Sequence, residues 1–156
     1  MSDRRQQLVD ESAAARAEAL ALADGLSVEE LDRPTDNDGW SVKDTFAHLA
    51  SIEARVRLML QTVLDGGVWS ADRADLDAYN GRSIAERRSW SPEAVLGELR
   101  ATGQETAKLF GRLTTDELDR EWEHPMFGPM TIERTAGMIT RHLRSHVGEL
   151  RTALQR

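Results

Sequence analysis

Between Ser41 and Gly66 the apolar residues Val42, Phe46, Leu49, Ile52, Val56, Met59, Leu60 and Val63 recur at intervals of three and four. That period describes one face of an α-helix, and it is sustained over roughly six turns. Ser41 is the N-cap expected for such a helix, with Asp44 three residues on in a near capping box, and Gly66-Gly67 stops it. Trp40, just before the cap, reads as a staple on the first turn. Three further segments carry long helical patterns. Residues 3–24 are rich in alanine, place Leu8, Leu20 and Leu22 on a partly apolar face, and end at Gly25. A second runs from the Ser91 cap, with Pro92 and Glu93 in its first turn, to about residue 113. The last starts at the Thr131 cap and runs to about Leu154 with Ile132, Met138, Ile139, Leu143, Val147 and Leu150.

The connections fill in the topology. Short capped turns are expected at 27–32 and 114–119, a loop at 33–39, and a loop or short hairpin in "REWEHPMFGPM". Residues 68–74 read as irregular and 76–90 as helical despite Gly81. Four long helices predict an all-α fold, a four-helix bundle in a single domain over residues 1–156. The 68–90 stretch is long enough to be a crossover, which permits a non-sequential helix order.

Composition narrows the function. The net charge of −7 argues against a general nucleic-acid binder, because no basic stripe is available to displace counterions. No apolar run approaches the roughly 18 residues of a membrane span, and residues 1–20 lack a signal-peptide core. A cytoplasmic protein with no membrane partner is the expectation. With no cysteine, the chain has no thiolate ligand and no sulfur nucleophile of its own.

The four histidines carry the remaining signal. His142 and His146, in "RHLRSHVGEL", lie one helical turn apart on one face. They are either two surface residues of a helix or half of a metal site. His48 sits in the middle of the second long helix, in "DTFAHLA", where a lone histidine is either packed or a ligand. Bundle metal sites are built from inward-facing side chains on different helices, so three histidines on two helices form a candidate site with a fourth position open. His124, in "EHPMFGP", is a weaker candidate at the mouth of such a site.

"GWSVKDTFAHLA" resembles the segment in which DinB-like proteins carry their first metal histidine, and "RHLRSHVGEL" is similar to their late His-x3-His helix. "DLDAYNGRSIAERR" and "SPEAVLGEL" look like the crossover and third helix of the branch related to the mycothiol-dependent maleylpyruvate isomerase N-terminal domain. The resemblance covers nearly the whole chain. It implies a DinB/YfiT-like four-helix bundle with a divalent metal, zinc or nickel, held by His48, His142 and His146. The isomerase type uses a glutamate where His142 stands and has an extra C-terminal domain, so this sequence departs from it in both respects. DNA binding is not implied.

The resemblance further implies a transferase or isomerase acting on a small-molecule substrate with a low-molecular-weight thiol, mycothiol or bacillithiol, and a homodimer paired through helices. A hydrolase is the related possibility. A non-catalytic bundle that binds a metal or small ligand in a protective or stress role is the alternative. Asp44 and Glu149, one turn from the histidines, are candidate acceptors for imidazole N–H groups or plain helix charges. Asn80 and Arg82 are candidate pocket residues from the crossover.

Overall fold

The computed structural model describes residues 3–37 and 39–156; residues 1 and 2, and Asp38 of the expected 33–39 loop, lie outside the described residues. The chain forms α1 (Arg4–Ala23), α2 (Val28–Leu31), α3 (Val42–Leu64), α4 (Arg73–Arg87), α5 (Pro92–Arg112), α6 (Thr115–Asp119), β1 (Glu121–His124), β2 (Gly128–Thr131) and α7 (Ile132–Leu154). The four long helices make the bundle. α1 packs on α5 and α7, and α3 packs on the same two. Chain neighbours α1 and α3 therefore stand on opposite corners, as do α5 and α7. This is the non-sequential order that the long crossover permits, with α4 lying along α3.

Caps set where the helices begin. Ser41 accepts from the Asp44 N–H while Asp44 accepts from the Ser41 N–H, a full capping box. Asp72 and Asp75 form the same box on α4. That box starts α4 at Arg73 rather than at residue 76, and the helix ends at Arg87 rather than at residue 90. The ambiguous segment after α6 is a hairpin, with Glu121 opposite Thr131 and His124 opposite Gly128. Gly128 has φ +73, a left-handed conformation that glycine adopts without a Cβ penalty.

The core is mostly apolar. Phe46, Leu49, Leu60, Leu99, Phe110, Ile132, Leu143 and Leu150 are fully buried, each worth about 1.5–3 kcal/mol against an exposed side chain. One polar cluster interrupts it. Arg16 on α1 forms a buried ion pair with Oε1 of Glu53 on α3, and Thr106 on α5 donates to the same oxygen at 2.6 Å. Arg57 donates to Thr102 and Thr106 beside them. The Arg16 side chain lies directly over Gly103, where a Cβ would come within 2.5 Å of its Nε. No helix is long and apolar enough to cross a membrane among the described residues.

Candidate metal centre and adjoining cavity

α3 and α7 are packed so that His48 meets the His142/His146 pair. His142 Nε2 lies 3.0 Å from His48 Nε2 and 3.0 Å from His146 Nε2. The rings stand edge-to-face, with centroids 4.4–5.0 Å apart. His48 and His146 are buried and His142 partly so. Burial, with repulsion from the neighbouring imidazoles, pushes His48 down to about 2 and His142 down to about 3. Both rings are therefore neutral at pH 7.

Glu149 fixes the third. Its Oε2 accepts from His146 Nδ1 at 2.7 Å, which leaves Nε2 of that ring with its lone pair toward the cluster. Asn37 donates to the same carboxylate oxygen at 2.7 Å. Trp40 closes the outer side, its ring 4.7 Å from His48 and 6.4 Å from His146. Its backbone carbonyl accepts from both the N–H and the hydroxyl of Thr35. Trp40 thus does more than staple a helix start: it packs on two of the three imidazoles. Asp44 is placed differently from Glu149. Its carboxylate is engaged by the Ser41 N–H and by Arg88 at 3.2 Å, so it supports the start of α3 and not a histidine ring. Among the described residues His48 Nδ1 has no hydrogen-bond partner.

The donor set suits a divalent ion. Three imidazole nitrogens converge from two helices. Bonds of about 2.05 Å at tetrahedral angles bring such nitrogens to roughly 3.3 Å apart, close to the 3.0 Å that separates His142 Nε2 from each of the other two, all three lying within 4.8 Å of one another. Three protein donors leave one position free, the pattern of catalytic rather than structural zinc sites.

His48 and His142 also line a cavity of about 280 Å³. Its walls are apolar: Leu49, Ile52, Val56 and Met59 of α3, Trp69 and Leu76 from the crossover, and Met138, Ile139 and Leu143 of α7. The hairpin covers it with His124, Met126 and the exposed Phe127. His124 is buried in that wall rather than sitting loosely at the mouth. Its Nδ1 accepts from the Met126 N–H at 3.1 Å, which places the proton on Nε2. Burial holds its pKa below the usual histidine value. Asn80 lines the cavity, whereas Arg82 is exposed and lines an adjoining groove that shares Arg55, Trp69 and Ala71 with it. Glu53 and Arg55 also line the cavity. No motif marks either one in the sequence. Glu53 does fall four residues after Leu49 and three before Val56, on the buried stripe, where an unexplained charge is a signal.

A helical bundle with three imidazoles converging beside an apolar cavity defines a candidate metalloprotein. The chain belongs to the DinB superfamily, whose sequence pattern matches residues 12–150. It is 24% identical over 135 residues to a protein of Oceanobacillus iheyensis provisionally assigned as a metal-dependent hydrolase, covering 84% of this chain and 74% of that one. Among solved structures it is similar to YfiT from Bacillus subtilis, a bundle of unusual topology with the same provisional assignment. That likeness has a TM-score of 0.76 at 18% identity, over 99% of this chain and 90% of that one. The mycothiol-dependent maleylpyruvate isomerase superposes with a TM-score of 0.76 at 13% identity, over 96% of this chain and 63% of that one. At these identities the structural likenesses establish the fold.

Proposed function

We propose that this protein is a divalent-metal-dependent enzyme in which His48, His142 and His146 hold the ion, zinc or nickel, and which acts as a transferase or isomerase on a small-molecule substrate with a low-molecular-weight thiol such as mycothiol or bacillithiol. The observation that carries the reading is the convergence of three imidazoles, two of which, His48 and His142, line a largely apolar cavity. An ion there supplies a Lewis acid that lowers the pKa of the water or thiol taking its free position. The protein's own residues do the rest. Glu149 and Trp40 hold the rings in place, the apolar walls exclude bulk water, and the His124 Nε2–H is a donor available to a bound substrate. With no cysteine in the chain, a sulfur nucleophile has to come from outside. The reading carries with it a single domain over residues 1–156, a cytoplasmic setting and, as the family resemblance implies, pairing into a homodimer.

A second reading, hydrolysis, is favoured by the provisional assignment of the Oceanobacillus relative. It needs the same site with water in place of the thiol. Elemental analysis after zinc or nickel reconstitution, with His48→Ala and His142→Ala alongside, tests the shared part. We expect about one ion per chain, lost in both variants. No ion in folded wild-type protein overturns both readings. Thiol-dependent consumption of monochlorobimane by the loaded protein supports the transferase. Ester hydrolysis without thiol supports the hydrolase. Loading with neither activity leaves a metal-binding bundle, the non-catalytic alternative.

A further inference from the structure

Four charged side chains line the cavity: Glu53, Arg55, Asp72 and Arg73. Glu53 is neutralised by Arg16. Asp72 is engaged in the reciprocal cap of α4 with Asp75. Arg73 is exposed on the first turn of α4. Arg55 is different. It is partly buried, and no carboxylate of the described residues lies within ion-pair distance of it.

Its guanidinium is nevertheless fixed. It lies 4.7 Å from the centre of the Tyr79 ring and 5.2 Å from that of Trp69. Tyr79 is in turn anchored, its hydroxyl donating at 2.8 Å to the carbonyl of Ser51, one turn before Arg55 on the same helix. Aromatic rings within about 6 Å attract a guanidinium without taking up its N–H donors. A pre-positioned fork of donors with no acceptor among the described residues matches a carboxylate, which accepts two parallel N–H bonds in the same plane.

We infer that Arg55 is an anion-binding residue of this cavity, and that the ligand is a small molecule with an apolar body ending in a carboxylate. The apolar walls take the body, and Arg55 takes the charged end. The inference rests on the reading of this cavity as the substrate site and adds a substrate class to it.

The test uses full-length protein stripped of metal with a chelator, so that no ion competes for the carboxylate. 4-Phenylbutyrate and its neutral isostere 4-phenylbutyramide are titrated separately at pH 7.5 and followed by amide NMR shifts of the cavity helices. We expect the carboxylate to bind roughly tenfold more tightly than the amide, the usual scale for a hydrogen bond to a charged group. Arg55→Gln is expected to abolish the preference, Arg55→Lys to keep part of it, and Arg82→Gln to leave it unchanged. Equal affinities in the wild type, shifts confined to residues outside the cavity, or no binding of the carboxylate into the millimolar range overturns the inference. So does a preference that survives Arg55→Gln. Metal content does not enter this measurement. A chain that binds no ion yet prefers the carboxylate refutes the metal reading alone, and a metal-loading chain without the preference refutes only this one.

Discussion

Glu149 Oε2 stands between His146 Nδ1 and Asn37 Nδ2, 2.7 Å from each, so one carboxylate oxygen ties the last helix to the loop before α3. Groups that orient a ligating imidazole are commonly worth about 10–100-fold in metal affinity. Glu149→Ala is expected to weaken zinc binding by about that factor in a chelator competition. Thermal unfolding of the metal-free variant should shift little, because Glu149 is only half-buried. Unchanged zinc affinity would separate Glu149 from the site.

Acidification should destabilise the metal-free protein well before its carboxylates matter. His48 and His142 have folded pKa values pushed down to about 2 and about 3, against about 6.5 in the unfolded chain. Below pH 6.5 the unfolded state takes up protons at these positions and the folded state does not. Stability therefore rises with pH through this window and is lost as pH falls. From pH 7.5 to 5.0 the loss for the pair is on the order of 4 kcal/mol. The carboxylates of Glu133 and Asp119, held low by Arg4, lose their contribution only as pH falls below about 4.5. Urea titrations at the two pH values check this, and His48→Gln should halve the difference.

Two glycines of α5 should respond in opposite ways. At Gly97 nothing lies within 4 Å of an added Cβ, so Gly97→Ala should stabilise by about 0.5–1 kcal/mol through helix propensity. At Gly103 the Cβ would meet the Arg16 side chain at 2.5–2.7 Å, and that side chain is pinned by Glu53. Gly103→Ala should cost about 1–3 kcal/mol, as overpacking does. Denaturant midpoints of the two variants decide the matter. A stabilised Gly103→Ala would mean that Arg16 moves freely.

Removing Arg16 leaves the buried Glu53 without its ion-pair partner. Arg16→Met is expected to cost about 3–5 kcal/mol, and the double change Arg16→Met with Glu53→Met to recover most of it. Urea unfolding of the single and double variants provides the comparison. A double variant no better than the single one would show that Thr106 and the surrounding network matter more than the charge balance.

The bundle and the His142/His146 pair are legible in the sequence because both rest on local periodicity, whereas His48's place beside the pair, 94 residues away, is what the family resemblance implies. The 3-4 spacing around His48 and the four-residue step from His142 to His146 each put a side chain on a definable face. The start of α4 is not legible in the same way, because an Asp72–Asp75 cap reads in sequence as two more acids among many. Asp44 and Glu149 look equivalent there, each one turn from a histidine. Only the packing shows that Arg88 and a helix cap claim the first, while the second faces His146. Arg55 carries no sequence signal at all: its significance comes from Trp69 and Tyr79, which the crossover brings against α3.

A ribosome that has delivered α1 and α3 has made two helices on opposite corners of the bundle, whose main packing partners, α5 and α7, do not yet exist. Domains generally fold as units, and here the early helices wait for the late ones. The histidine pair emerges last, His142 coming 94 residues after His48. A product broken off within α5 holds one imidazole of three and has nothing with which to grip an ion. If these three imidazoles hold an ion as proposed, they can do so only in chains whose synthesis has reached α7.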